Sequence, residues 1–304
     1  MSFSAEVKNE LCRIQPGNMD CVRAECCGIL LFCNIFTADE IRIITENEAF
    51  AGRLPRLFRR AFGVSFDREP EEDRQGKMVF SVTDGGKIAR IMDVLGHERA
   101  QSLSVHLNLA LVEEERSCAA FLRGAFLAGG SLNDPKKSYH MEFVTTHLHV
   151  AGETEALLRE MGMTPHTVRR SGAQVLYFKQ SEALEDMLTL IGAPVSAMEL
   201  MNTKLEKDLR NQVNRKTNCD EANLDKSLAA TQRQIESIRR LKRSGRLDGL
   251  PDKLKETAEK RMNYPELPLS ELAEQFTPPI TKSCLNHRLR KIEEYASKNG
   301  GKTI

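Results

Sequence analysis

One helical stretch occurs twice in this chain, and few folds accommodate that. Cys118 to Pro135 reads CAAFLRGAFLAGGSLNDP, with small residues at Ala120, Gly124 and Ala128, four apart and therefore on one helix face. Such a stripe lets a second backbone come close. Leu122 and Phe126 cover one flank and Phe121 another, which predicts a helix held between layers rather than lying on a surface. Gly129-Gly130 ends it, because glycine turns left-handed without a Cβ penalty.

Setting Gly28 on Gly124, an offset of 96 residues, lays AECCGILLFCNIF (Ala24 to Phe36) over AFLRGAFLAGGSL (Ala120 to Leu132). Ala51-Gly52 then falls near Ala151-Gly152, Gly63 near Gly162, Met78 to Val82 on Gln174 to Phe178, and Gly96 on Gly192. Landmarks recurring in order mark a duplicated unit. Each copy reads helix, two strands, helix, two strands, helix. The first copy places helices at 20–33, 48–62 and 86–95, with strands near 34–37, 41–45, 64–69 and 77–82. The second places helices at 117–128, 152–161 and 181–191, with strands near 131–133, 139–145, 164–170 and 174–179. A short leading helix is expected over 4–13, with Ser4 as its N-cap.

A chain of 304 residues has length for about two domains. No run of 18 apolar residues occurs, and the opening residues MSFSAEVKNELCRIQ lack a signal-peptide pattern, so a cytoplasmic protein with no membrane partner is expected. The eight cysteines show no CxxC spacing and read as reduced, mostly buried thiols. His147 and His149 alternate on an expected strand end, but no third metal ligand accompanies them. No phosphate-binding loop, dinucleotide fingerprint or nucleophile elbow appears, and neither cofactor nor metal is expected.

The net charge of +1 hides an asymmetry: from Lys204 onward 22 Lys and Arg face 15 Asp and Glu, leaving 22 against 28 upstream. A polyanion would therefore bind the C-terminal third. Upstream basic clusters at Arg53, Arg56, Arg59 and Arg60, and at Arg169 and Arg170, read as a solvated helix face and a strand end.

Two αββαββα units, each led by such a helix, resemble the LAGLIDADG homing-endonuclease fold. The whole chain, from SFSAEVKNEL (Ser2 to Leu11) through SYHMEF (Ser138 to Phe143) to NHRLRKIEE (Asn286 to Glu294), resembles the WhiA family of bacterial regulators. In the endonucleases an acid at the eighth motif position holds a divalent metal. That position falls on Gly129 in the second copy and Cys33 in the first, so the resemblance implies a fold without its catalysis and a protein that is not an enzyme. Asp134 and Asp39 lie nearby but beyond the helix ends. The family resemblance also implies DNA binding chiefly through the other domain, and control of cell-division or sporulation genes.

The expected architecture is thus an α+β domain over 1–199, with repeats at about 20–96 and 117–192, then a linker at 200–220 and an all-α domain over 221–297, with a flexible tail at 298–304. The linker, LMNTKLEKDLRNQVNRKTNCD, is rich in Asn, Lys and Arg and reads as a connector that can touch phosphates. The following helix should bury Leu224, Leu228, Ile235, Ile238 and Leu241 and end near Gly245, leaving a basic tract that includes Arg233, Arg239 and Arg240. A further helix is expected from Pro251 to Asn263.

Residues 268–295 carry the strongest functional signal. Ser270 should cap a short helix bearing Leu272, Ala273 and Phe276, and Thr277-Pro278-Pro279 breaks it. Thr281 or Ser283 caps a second helix with core positions Leu285, Leu289 and Ile292. These are helix-turn-helix dimensions. Projection at 100 degrees per residue puts Ser283, Asn286, His287, Arg290 and Lys291 opposite the apolar stripe, suited to base edges, with Lys282 and Arg288 flanking them for phosphates. The expectation is a sequence-specific, promoter-binding and nucleoid-associated transcription regulator, compatible with a monomer, that can engage another transcription factor or RNA polymerase. A surviving metal-dependent endonuclease and an architectural DNA-binding protein are the alternatives.

Overall fold

The computed structural model describes residues 2–71, 76–97 and 105–298, and its chain divides into two compact units, Met1–Asp208 and Leu209–Ile304. In the first unit, helix α1 (Phe3–Cys12) precedes α2 (Met19–Leu31), strands β1 (Ile35–Phe36) and β2 (Ile41–Thr45), α3 (Glu48–Phe62), β3 (Met78–Val82) and α4 (Gly85–Leu95). A 3-10 turn (Leu109–Val112) leads to the second copy: α5 (Glu115–Gly129), β4 (Gly130–Leu132), β5 (Met141–Thr145), α6 (Leu148–Glu160), β6 (His166–Arg170), β7 (Ala173–Phe178) and α7 (Ser181–Ile191).

Each copy builds its own antiparallel sheet, in the order β1-β2-β3 and β4-β5-β7-β6. Strands β2 and β5 both alternate buried and half-buried residues, so one face of each sheet turns to the core. α2 and α5 pack on each other along their small residues. A Cβ at Gly28 would sit 2.0 Å from the Phe121 carbonyl oxygen, and one at Gly124 would sit 2.0 Å from that of Glu25. Nothing larger than hydrogen fits at either position. Phe32 and Phe143 close the foot of the pair edge-on, with ring centres 6.4 Å apart. Gly96 and Gly192 end α4 and α7 in the left-handed conformation, as a repeat at that offset predicts.

Differences from expectation have local causes. The N-cap of α1 is Ser2, whose hydroxyl accepts from Ala5 N, while Ser4 accepts from Leu132 N. The strand expected near 64–69 is reduced to a single bridge between Arg68 and Ser81. Asp67 accounts for this: its carboxylate accepts from the backbone N–H groups of Thr83 and Asp84 and pairs with Lys87, drawing the segment onto the turn after β3. Arg53 is not on a solvated face. It is buried against Glu25, donating from Nε at 2.7 Å and from Nη2 at 3.0 Å, and Arg123 donates to the same carboxylate at 3.2 Å. Arg53 also donates to the Cys12 and Ile14 carbonyls, and Arg123 to that of Ile191. His147 is the N-cap residue of α6 and His149 lies in its first turn, so neither is on a strand.

Helix α8 runs from Pro194 to Arg243, so 200–220 is helical and the division between the units falls inside it. Ile238 and Leu241 are buried as expected, but Leu224 and Leu228 are 60% and 53% exposed. Then follow α9 (Asp252–Asn263), α10 (Leu269–Glu274) and α11 (Lys282–Ser297). Leu254, Ala258, Leu272, Phe276, Leu285, Leu289 and Ile292 join Ile238 and Leu241 in the core of the second unit. Ser270 sits inside α10, whose N-cap is Pro268. Beyond Lys298 the expected tail lies outside the described residues.

Candidate nucleic-acid interface

The sequence dictates the start of α11 through Thr281, whose hydroxyl accepts from Cys284 N at 3.2 Å. Leu285, Leu289, Ile292 and Ala296 bury one stripe of that helix. Helical geometry leaves the opposite face to solvent. Lys282, Ser283, His287, Arg290 and Lys291 are exposed, whereas Asn286 and Arg288 are half-buried.

Ahead of α11, the turn is pinned by two cations on one ring. Lys260 Nζ lies 5.2 Å and the Arg288 guanidinium 5.6 Å from the centre of Phe276, and Lys260 also donates to the Gln275 carbonyl at 2.6 Å. Arg288 therefore divides its side chain between holding the turn and facing solvent. Ile280 N donates to Ala273 O at 3.1 Å, fastening the turn back onto α10. Arg261, buried, ties the unit together: it donates to Leu267 O at 2.7 Å and to the hydroxyl of Thr231 on α8. Burial alone pushes its pKa down from the usual arginine value.

Arg290 lies beside a groove of about 480 Å³ that α11 forms with the last turns of α8, where Arg233, Glu236, Ser237 and Arg240 are its neighbours. The sequence reading treated the basic end of α8 as separate from the α11 face. What it missed is that Arg233 and Arg240 share a groove with Arg290, a tertiary fact with no sequence signature. It also passed over Glu293 and Glu294, which line the same groove. Helical projection alone puts Glu294 within the exposed face. The structure thus gathers Arg290 with the end of α8, sets Arg288 on the α10 flank, and leaves Lys282, Ser283, His287 and Lys291 open.

At the feet of α2 and α5 the positions expected to lack metal ligands are filled otherwise. Cys33 is buried, its thiol donates to the Ile35 carbonyl at 3.1 Å, and burial pushes its pKa up to about 12. A protonated thiol is a poor ligand for a hard cation. At Gly129 a Cβ would already meet the Val144 carbonyl oxygen at 2.4 Å, so no carboxylate fits there. Asp39 is exposed and Asp134 caps its own turn by accepting from Lys136 N. Among the described residues no group of three His, Cys, Asp or Glu has metal-binding geometry. These residues do not fit a divalent ion.

Comparison with known proteins agrees with both units. Residues 118–210 match the family model for the WhiA LAGLIDADG-like domain, and residues 213–296 match that for the WhiA C-terminal HTH domain. A protein of Ruminiclostridium cellulolyticum named "Probable cell division protein WhiA" is 37% identical over 98% of each chain. One of the same name from Clostridium perfringens is 36% identical over 97% of this chain and 98% of its own. The crystal structure of full-length DUF199/WhiA from Thermotoga maritima shares the fold, with a TM-score of 0.61 at 23% identity, covering 99% of this chain and 100% of that one.

Proposed function

Because this chain belongs to the WhiA family, with a LAGLIDADG-like domain followed by a helix-turn-helix domain, we propose that it is a sequence-specific transcription regulator of cell-division or sporulation genes. In this reading α11 enters the major groove, where Ser283, Asn286, His287, Arg290 and Lys291 meet base edges and Lys282 and Arg288 meet phosphates. The observation that carries it is the exposed polar face of α11, presented by a capped and pinned turn in the positively charged third of the chain. The close relatives' names tie the role to cell division. No described helix is long and apolar enough to cross a membrane, which suits a protein working on the chromosome in the cytoplasm. The first unit then acts as a scaffold or as a docking surface for a partner such as RNA polymerase or a second regulator.

The absence of carboxylates at Cys33 and Gly129 supports an inactive first unit. Two measurements test the whole reading. Genome-wide occupancy of the tagged protein should show discrete promoter peaks near division genes; uniform occupancy would favour an architectural protein. Pure protein with magnesium or manganese should leave plasmid DNA intact, and cleavage lost on Asp134→Ala would overturn the assignment.

A further inference from the structure

The stretch from Asn211 to Asn218, NQVNRKTN, belongs to α8 but serves that helix poorly. Asn211, Asn214 and Asn218 fall within it, and asparagine is a weak helix former because its amide competes for the backbone. Every residue from 211 to 228 is exposed, so tertiary packing does not explain them. Such composition on an open helix calls for something outside the chain.

Spacing shows what the polar residues share. Asn211, Arg215, Asn218, Lys226, Arg233 and Arg240 follow at intervals of 4, 3, 8, 7 and 7 residues, which keeps them on one face of α8. Ala222, Ala229 and Glu236 fill the remaining positions on that face, so no large apolar side chain stands between the polar groups. The exposed aliphatic residues Leu209, Val213, Leu224 and Leu228 lie on a different side. One acid, Glu236, lies on this face and a second, Asp225, borders it, against four basic residues on it. At its C-terminal end this face turns into the groove where Arg233 and Arg240 meet Arg290 of α11.

We propose that this face of α8, centred on Arg215 and Asn218, is a second DNA-contacting element that engages the same duplex as α11. It rests on the reading of the second unit as a DNA binder and enlarges its footprint. Arginine and lysine supply phosphate contacts with counterion release, and asparagine amides suit phosphates or adenine edges. Contact with a polyanion also gives an otherwise unsupported polar helix a reason to be ordered.

Binding of the full-length chain to a promoter duplex, measured across a salt series, tests the inference. Arg215→Ala with Asn218→Ala should weaken binding about tenfold and lower the salt slope by about 1. Lys216→Ala, which removes a charge from another face of the same turn, should do much less. Equal losses in the two variants would reduce the effect to general charge and overturn the proposal. If Arg290→Ala weakens binding while the double variant does not, the proposal falls and the parent reading stands. If the wild-type chain retains no duplex, both fall. A readout free of substitutions uses the exposed thiol of Cys219, which adjoins Asn218. Bound DNA should slow its alkylation by a maleimide, and an unchanged rate would count against contact here.

Discussion

Gly28 on α2 and Gly124 on α5 stand against each other's helix so closely that each lies on the partner backbone: the Cβ that either lacks would overlap a carbonyl oxygen at 2.0 Å. Alanine at position 124 would gain about 1 kcal/mol of helix propensity. The clash is with backbone, which cannot rotate away, so the helices must part. Gly124→Ala is expected to destabilise the first unit by about 3 kcal/mol, read as a lowered denaturant midpoint. Gly52→Ala serves as control, since nothing lies within 4 Å of its missing Cβ.

Glu25 is the single carboxylate between two buried guanidiniums, those of Arg53 and Arg123. Removing it strands two positive charges in the core. Glu25→Ala should therefore cost about 3 to 5 kcal/mol, more than an exposed pair such as Arg159 with Glu155, which is worth under about 1 kcal/mol. A Glu25→Ala chain as stable as the Glu155→Ala chain would refute this account.

Lys8 gives the first unit a pH dependence of unusual sign. Its ammonium donates to the Leu127 carbonyl at 3.0 Å, and burial lowers its pKa from 10.5 to about 8. The unfolded chain therefore holds this proton more tightly than the folded one between about pH 8 and 10.5. Over that window the Lys8 contribution to stability should rise with pH. Urea titrations at pH 7.5, 9 and 10 should show wild type gaining on Lys8→Met; parallel curves would disprove it.

Arg290 reaches towards solvent at the edge of the α8 groove, and its loss should weaken promoter binding by about 1 to 3 kcal/mol. Phe276→Ala should act differently. It removes the ring shared by Lys260 and Arg288, so thermal stability of the second unit should fall along with affinity, whereas Arg290→Ala should leave stability unchanged. Calorimetry alongside mobility shifts separates the two.

Much of this was legible without coordinates because it is local. The four-residue period of Ala120, Gly124 and Ala128 called for close helix packing, the recurrence of Gly96 at Gly192 for a repeat, and Thr277-Pro278-Pro279 before Thr281 for a turn and a new helix. Propensity, capping and periodicity act within a few residues, and a sequence displays them directly. Other features depended on which distant groups met. Arg53 looked like one of a solvated quartet until Glu25, 28 residues away, proved to be its partner. Leu224 and Leu228 extended an apolar pattern, yet α9, α10 and α11 cover only its downstream end at Ile238 and Leu241.

The sequence by itself determined the duplicated helices, the lack of metal-holding acids at Cys33 and Gly129, and the polar face of α11, since each follows from residue identity and spacing along one element. Only the tertiary structure decided that Glu25 binds both Arg53 and Arg123, that Arg288 rests on Phe276, and that Arg290 shares its groove with Arg233 and Arg240. Those are relations between elements, and burial and hydrogen-bond geometry become defined only when the chain packs.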